Sequence, residues 1–304
     1  MGLIPLVVVV LTYDEEVNLA GALASVEGWV GRMVVVDSGS SDSTVTIARG
    51  YGAQVLAHPF ETHARQWEWA LANLPEEAEW VLGLDADQRV TAELRDELIR
   101  MFTEGQSRLE QVDGFYVKRR QIFRGKWIRH GTYYPKYLLK LFRRGQVRLD
   151  ERDLMDHHFY VDGATAKLEQ DIVEANRKED DIAFWIEKHN RYARLQAQEE
   201  LLRRNGRAWP LQPRLAGSPD ERVIWLKQRW YRMPLYVRPV LYYVYRYFLR
   251  LGFLDGKQGF IFHFLQAFWY RLLVDIHLDD LLQQEAGSRG QKATLRVEGE
   301  RVGD

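Results

Sequence analysis

The stretch IPLVVVVLTYDEE, residues 4–16, joins an apolar run containing four consecutive valines to a polar, acidic segment. Such a run is typical of a parallel β-strand buried on both faces. It has no basic segment before it and no small-residue cleavage site after it, so we expect a strand here and not a signal peptide. The same sequence of apolar run and acidic turn returns at 34–43 and 80–87. This repetition predicts an α/β fold.

Strands and helices alternate through the first hundred residues. Apolar runs predict further strands at 33–36, 53–57 and 80–84, and helical spacing predicts helices at 17–26, 62–74 and 91–104. The alternation indicates a sheet that is mainly parallel and has helices on both faces. Two later strands, 114–121 and 137–142, and a long helix ending near Arg204 extend the predicted domain.

The composition narrows the classes of function. Of 304 residues, 46% are hydrophobic and 28% are charged, which is enough apolar content for a folded core. The chain contains no cysteine, which excludes disulfides, zinc–thiolate sites, iron–sulfur clusters and a cysteine nucleophile. Lys and Arg number 42 against 43 Asp and Glu, so the balance does not indicate a nucleic-acid partner.

Glycine-marked nucleotide motifs are missing from the sequence. The segment after the first strand has no G-x-G-x-x-G, which disfavours a dinucleotide-binding Rossmann site. The chain has no P-loop motif and no G-x-S-x-G nucleophile elbow, which weighs against nucleotide triphosphatases and α/β-hydrolases.

Carboxylates follow three of the predicted strands. Asp14 and Glu15 follow the first, Asp37 the second, and Asp85 and Asp87 the fourth. The carboxyl ends of parallel strands share one edge, where such sheets bind ligands. Asp85 and Asp87 could hold Mg²⁺ or Mn²⁺, whose other ligands are typically water and phosphate oxygens. The pattern therefore predicts a metal-held nucleotide diphosphate, although D-x-D alone also occurs in solvated turns.

These motifs resemble family 2 glycosyltransferases with the GT-A fold. The resemblance is carried by residues 7–16, 34–44 and 84–87, and beyond them by 127–131, 134–135, 141–145 and 252–256. The later segments resemble the bacterial envelope-polysaccharide branch, including lipopolysaccharide-core glucosyltransferases. The first motif departs from the family at Asp14, where Asn is usual. The implied fold is a mixed, mainly parallel sheet flanked by helices, with a C-terminal amphipathic helical extension.

The resemblance implies roles for individual residues at the donor site. It assigns donor binding to Thr12, Tyr13, Glu15, Asp37, Arg65 and Asp85, and metal binding to Asp87 and Asp85. In this scheme Thr12, Tyr13, Glu15 and Asp37 form the base pocket, and Arg65 reaches the pyrophosphate. The alternatives are that Asp37 caps the turn that follows it and that Arg65 is an ordinary surface arginine.

An inverting transferase also needs a general base that takes the proton of the acceptor hydroxyl. The family supplies it after the middle strands, where the candidates are Glu151, Asp153 and Asp156. We favour Asp156 because it precedes two histidines in a context typical of this branch. The octapeptide could also be a charged loop.

Four regions are expected along the chain: a GT-A catalytic domain at 1–206, a linker at 207–220, an aromatic and basic helical region at 221–284, and a polar flexible tail at 285–304. Between 222 and 254 the sequence has seven Lys or Arg and no acidic residue, and many aromatic residues. We expect Arg238, Arg246 and Arg250 among the cations that meet anionic lipid. A packed helical subdomain or a dimer interface is the alternative.

The predicted activity is therefore an inverting, hexosyltransferase-type reaction. A nucleotide-sugar, expected to be a UDP-sugar, would donate to a glycan or polyprenyl-linked glycan of the cell envelope. The protein would be cytoplasmic and attached peripherally to the inner face of a bacterial membrane. Two rivals are a catalytically inactive glycan-binding or membrane scaffold protein and a nucleotidyltransferase on a related α/β scaffold. The second would need a glycine-rich phosphate loop that 12–16 lacks.

Overall fold

The computed structural model describes residues 2–154 and 158–301. Eleven strands lie in these residues: β1 Ile4–Thr12, β2 Val30–Asp37, β3 Gln54–Ala57, β4 Trp80–Asp85, β5 Gln88–Val90, β6 Gly114–Phe123, β7 Lys126–Ile128, β8 Lys136–Arg143, β9 Val147–Arg148, β10 Tyr160–Val161 and β11 Thr165–Glu174. The α-helices are α1 Leu19–Ala24, α2 Thr44–Gly50, α3 His63–Ala72, α4 Ala92–Glu104, α5 Gln106–Glu110, α6 Ile182–Arg204, α7 Pro219–Tyr231, α8 Val237–Val244, α9 Gly256–His263 and α10 Tyr270–Arg301. Two π-helical turns, Tyr245–Leu249 and Phe264–Trp269, interrupt the C-terminal helices.

One nine-stranded mixed sheet forms the centre of the first two thirds. Its order is β3-β2-β1-β4-β8-β6-β11-β5, with β7 paired to β6. The first four strands are parallel to one another, whereas β8 is antiparallel to both β4 and β6, and β11 is parallel to β6. Strand β5 turns back to pair antiparallel with the end of β11. The chain just after β4 therefore meets the end of a strand that comes much later in the sequence.

The first strand shows why the apolar run folds this way. Leu6, Val8 and Val10 pack into the cluster under α1 and α4, while Val7 and Val9 pack on the opposite face under α3. Both faces of β1 are buried, as the unbroken valine run predicts. The mixed α/β architecture with flanking helices confirms the predicted fold class.

Polar side chains fix where the helices begin. The hydroxyls of Thr62 and Thr91 accept from the backbone N–H groups of Arg65 and Leu94, and α3 and α4 start at the next residue. Asp181 caps α6 in the same way. These starts agree with the predicted helix boundaries and place the acidic turns between them at the carboxyl edge of the sheet.

The helices after residue 206 pack on the sheet domain through α6. The guanidinium of Arg238, fully buried, binds Glu200 on α6 at 2.8 and 3.0 Å and Asp275 on α10 at 2.7 Å. Arg246 is also buried, with its guanidinium 3.9 Å from the centre of the Tyr133 ring. The expectation that these two arginines face lipid is therefore wrong, because Arg238 is paired with buried carboxylates and Arg246 packs against an aromatic ring. Arg250, in contrast, is exposed.

The C-terminal region nevertheless presents a broad apolar surface. Large side chains at least 40% exposed run from α8 to the second π-helical turn: Tyr236, Val237, Val240, Leu241, Val244, Tyr245, Phe248, Leu249, Leu251, Phe253, Leu254, Phe260 and Phe264. We call these residues the apolar surface. In the described part of the chain, no helix has a stretch of the length and hydropathy that would cross a bilayer. Helix α10 extends to Arg301, through most of the range expected to be a polar tail.

Candidate active site

Three carboxylates meet where the end of β4 lies beside the end of β11. Asp85 and Asp87 come from the predicted D-x-D segment, and Glu174 is the last residue of β11. One oxygen from each lies within 4.8 Å of the other two. The pairing of β5 with β11 creates this contact, since Gln88 lies opposite Glu174 in the ladder. Like charges at such distances repel unless a cation or donors relieve them.

Two cations and one amide stand at the rim of this triad. Lys140 Nζ lies 2.9 Å from Asp85 Oδ2, and Arg119 Nη1 lies 2.9 Å from Glu174 Oε1. The amide nitrogen of Gln88 donates to both carboxylates, at 2.5 Å to Asp85 and 2.8 Å to Glu174. Two of the three carboxylates are thus balanced by the protein itself, and both oxygens of Glu174 are engaged by Arg119 and Gln88.

The ionisation of Asp87 is strongly perturbed by its surroundings. Burial, then the charges of Glu174 and Asp85, raise the pKa of the Asp87 carboxyl well above its usual range. A divalent cation would reverse this effect by adding positive charge among the three oxygens. Hard oxygen ligands in this number suit Mg²⁺ or Mn²⁺ with water and phosphate in the other positions. The residues present therefore fit the predicted metal.

The loops after β1 and β2 interlock beside the triad through reciprocal hydrogen bonds. Asp14 donates its N–H to Ser40 Oγ at 2.9 Å and accepts from the Ser41 N–H at 2.7 Å. Asp14 has φ 51°, a left-handed conformation that Asp and Asn adopt more readily than most residues. Aspartate at this position thus holds the loop through its carboxylate, which explains how the chain accommodates its departure from the family's asparagine.

Asp37 is buried at the base of the same loops. Its carboxylate accepts four hydrogen bonds, from the hydroxyls of Thr12 and Ser40 and from the N–H groups of Gly39 and Ser40. Two oxygens offer about four lone-pair positions, so the protein already fills them. This geometry favours the alternative in which Asp37 shapes the turn.

Two other predicted donor residues have different surroundings. The Tyr13 ring is 61% exposed at the end of β1, where a flat ligand could stack on it. The Glu15 carboxylate is bound by Lys178 and Asn18, each at 2.8 Å. Tyr13 is thus open to a ligand, whereas Glu15 is already part of an ion pair that joins the β1 loop to the start of α6.

The predicted general-base segment is only partly described. Asp156 lies outside the described residues. Glu151 is exposed and pairs with Arg65 at 3.1 Å, so two predicted site residues meet each other. Asp153 is buried and contacts Tyr160 Oη at 2.8 Å, His158 Nδ1 at 3.3 Å and the Arg203 guanidinium at 3.4 Å. Although burial opposes ionisation, the hydrogen bond and charge of His158 lower the pKa of Asp153. A base at Asp153 would have to give up these contacts.

Sequence reasoning missed Glu174, Lys140 and Arg119. The ten residues of β11 include six polar or charged side chains, which hides the strand pattern. Lys140 did leave a signal, because it stands alone among apolar residues in the run 137–142 and is only 4% exposed. A lysine buried in such a strand is rarely left without an acidic partner.

A family model described as glycosyl transferase family 2 matches residues 7–165. An uncharacterized glycosyltransferase of Rickettsia prowazekii is 36% identical over 94 residues, which are 31% of this chain and 32% of the relative. A lipopolysaccharide core biosynthesis glycosyltransferase of Rhizobium meliloti is 27% identical over 152 residues, 48% of this chain and 54% of the relative. The matched part thus spans about a third to a half of these curated relatives.

Among solved structures, similarity extends to a glucosyl-3-phosphoglycerate synthase from Mycobacterium tuberculosis in complex with Mn²⁺, uridine diphosphate and glucosyl-3-phosphoglycerate. That match has 17% identity and a TM-score of 0.40 and covers 67% of this chain and 81% of the synthase. A second is residues 1–349 of TarS from S. aureus, at 14% identity and a TM-score of 0.39, covering 92% of this chain and 91% of the other.

Proposed function

The chain belongs to glycosyl transferase family 2 and has the GT-A fold, and we propose that it transfers a sugar from a UDP-sugar to a growing, lipid-linked glycan of the cell envelope. The reaction would invert the anomeric carbon, because the acceptor hydroxyl attacks from the face opposite the departing diphosphate. The supporting observation is the triad of Asp85, Asp87 and Glu174, whose ligand oxygens lie within 4.8 Å of one another. Three carboxylates placed in this way suit an enzyme that binds a nucleotide diphosphate through a divalent cation.

In this proposal the three carboxylates hold Mg²⁺ or Mn²⁺. The bound ion would neutralise the charge that develops on the leaving diphosphate. Asp87 must be ionised to act as a ligand. Lys140 and Arg119 balance Asp85 and Glu174 and keep both carboxylates in place at the sheet edge. Asp85 is the residue we expect to reach the donor as well as the metal.

The nucleoside would lie over the interlocked loops after β1 and β2. Tyr13 is the residue that we expect to contact the base, because its ring is exposed at the end of β1. Thr12, Asp37 and Glu15 would define the walls of the pocket through the contacts they already make. Arg65, which is half-exposed and paired with Glu61 and Glu151, would reach the diphosphate with its remaining N–H donors.

The general base remains among the carboxylates after the middle strands. Asp156 is our first candidate and Glu151 the second, since the Asp153 carboxylate is engaged by Tyr160 and Arg203. Asp156→Asn should leave donor binding intact and lower transfer by about 10²–10⁴-fold, the usual effect of losing a general base. An active Asp156→Asn protein beside an inactive Glu151→Gln protein would assign the base to Glu151.

We also propose that the apolar surface docks peripherally on the inner face of the bacterial membrane. Its exposed rings and aliphatic side chains are neighbours of the exposed cations Arg250 and Lys257, an arrangement suited to anionic lipid. Leu249→Asp, at a side chain that is 71% exposed, should weaken co-flotation with anionic vesicles. Leu215→Asp, at an exposed leucine outside this surface, is the matched control. Wild-type protein that does not float with anionic vesicles at low salt would contradict the proposal.

The enzymatic proposal is tested by UDP release from a panel of sugar nucleotides with and without Mn²⁺. We expect a UDP-sugar, and not a GDP- or dTDP-sugar, to be consumed, and only with metal. Asp87→Asn should abolish the release, whereas Asp96→Asn, at an exposed ion pair on α4, should not. A folded Asp87→Asn protein with full metal-dependent turnover would show that the triad does not hold the metal.

A further inference from the structure

His130 lies in the loop between β7 and β8 and is held by a buried aspartate from the C-terminal helices. Both carboxylate oxygens of Asp255 bind His130. Oδ2 accepts a hydrogen bond from the His130 backbone N–H at 2.9 Å, and Oδ1 lies 2.7 Å from His130 Nδ1. Asp255 is 2% exposed, whereas the His130 side chain is 37% exposed. One ring nitrogen is thus fixed inside the protein, and the ring itself reaches solvent.

Asp255 gives up a more usual role to make this contact. It is the residue before α9, where an aspartate normally caps the first N–H groups of the helix. Within the described residues its side chain makes no such cap. The Asp255 carboxylate is thus committed to orienting His130 and not to the first turn of α9.

The rest of the loop is clamped by the same helices. The Gly131 N–H donates to the Arg250 carbonyl at 2.9 Å, and a β-carbon at Gly131 would collide with the His263 ring. Tyr133 packs its ring on Phe262 at 4.6 Å between centroids. Gly131 and Thr132 both have φ near +65°. The conformation of this loop is therefore held by contacts with the C-terminal region.

The topology places this loop beside the triad and away from the nucleoside loops. In the sheet, Gln121 of β6 pairs with Glu174 on one side and with Ile128 of β7 on the other. Two strand spacings, about 10 Å, therefore separate the backbones of Ile128 and Glu174. The proposed base pocket follows β1 and β2, on the other side of β4. A nucleotide-sugar that runs from that pocket across the triad would direct its sugar toward the His130 loop.

We propose that the Asp255–His130 pair binds the acceptor, with His130 Nε2 accepting a hydrogen bond from a hydroxyl of the acceptor sugar. Because Asp255 accepts from Nδ1–H, the neutral ring must keep Nε2 unprotonated, which makes it an acceptor. This inference rests on the proposed glycosyltransferase activity and names a binding residue for its second substrate. His130 positions the acceptor and is not the general base.

The first test uses His130→Asn, which keeps an N–H donor for Asp255 and removes Nε2. With a UDP-sugar and a panel of methyl glycosides as acceptors, we expect the acceptor KM to rise about 10-fold, the worth of one hydrogen bond. The KM for the UDP-sugar, the slow hydrolysis of the donor and the melting temperature should not change. His277→Asn on α10 is the control. A fall in kcat at unchanged acceptor KM would overturn the binding role.

The second test changes the orienting residue. Asp255→Asn presents an amide donor to Nδ1, so the ring should move its proton to Nε2 and lose acceptor affinity, whereas Asp279→Asn, at the partner of the Tyr236 hydroxyl, should have no effect. ¹⁵N spectra of histidine-labelled protein report which nitrogen is protonated. A wild-type ring protonated at Nε2, or a wild-type enzyme whose UDP release no methyl glycoside accelerates, would overturn the inference. Failure to bind any UDP-sugar with Mn²⁺ would instead refute the proposed function.

Discussion

Replacing Arg238 with methionine should destabilise the protein by about 3–5 kcal/mol, the usual cost of removing one partner from a buried ion pair. Arg238 and its partners Glu200 and Asp275 are fully buried. Without the guanidinium, Glu200 keeps Arg204 as a partner and Asp275 keeps the Tyr236 N–H, and neither replaces three charge-assisted bonds. The loss should fall on the contact between α6, α8 and α10.

Equilibrium unfolding in urea, followed by circular dichroism and tryptophan fluorescence, measures this loss. Arg204→Met is the matched control, because Arg204 binds the same Glu200 from a partly exposed position. The control should cost no more than about 1 kcal/mol, as partly exposed pairs do. Adding Glu200→Gln to Arg238→Met should recover part of the loss, since one buried charge is then gone. Equal costs for Arg238→Met and Arg204→Met would refute the reasoning.

Two further predictions concern the proposed metal site and the stability of the protein in acid. Glu174→Gln should weaken Mn²⁺-dependent binding of UDP, because a neutral amide is a poorer metal ligand than a carboxylate. Calorimetry measures this binding, and the binding of UDP without metal should not change. If the Mn²⁺ dependence is the same as in the wild type, Glu174 is not a metal ligand. Burial lowers the pKa of His189 and of His263 to about 4. Both histidines bind a proton more readily in the unfolded chain, where the pKa is about 6.5. Their contribution to the free energy of unfolding should therefore be fully present above pH 6.5 and be lost as the pH falls toward 4. The loss should be roughly 1.4 kcal/mol per pH unit for each histidine. Urea unfolding midpoints at pH 7 and pH 5 measure this loss of stability. His189→Phe, which keeps a ring at the site, should lower the loss between the two pH values by about half. Equal midpoints at pH 7 and pH 5 in the wild type would contradict the lowered pKa of the two histidines.

The first half of the chain could be predicted from sequence because its elements are local. Four valines in β1 and the threonine caps of α3 and α4 specify strands and helices with little help from distant residues. The D-x-D carboxylates could be found for the same reason. Glu174 could not, because its strand is polar and its place beside Asp87 exists only through the pairing of β5 with β11.

The arginines of the C-terminal region show that a basic sequence pattern does not predict which charged side chains are exposed. Arg238 and Arg246 stand in a basic, aromatic stretch that is typical of a lipid-facing surface. In the folded protein, Arg238 is neutralised by carboxylates 38 and 37 residues away, and Arg246 lies on the Tyr133 ring. The pairing partners are on other helices, so no local window of sequence could have identified them.

The antiparallel pairing of β5 with β11 also determines which truncated forms of this protein would keep the three carboxylates together. The family match ends at residue 165, nine residues before Glu174, and so a fragment trimmed to the homologous segment would keep Asp85 and Asp87 but lose their third carboxylate together with Arg119's partner. A chimera made by exchanging this segment alone would separate Asp85 and Asp87 from Glu174. The boundary that keeps the triad together lies after β11, and the contacts of the His130 loop with Phe262 and His263 move it further, beyond α9.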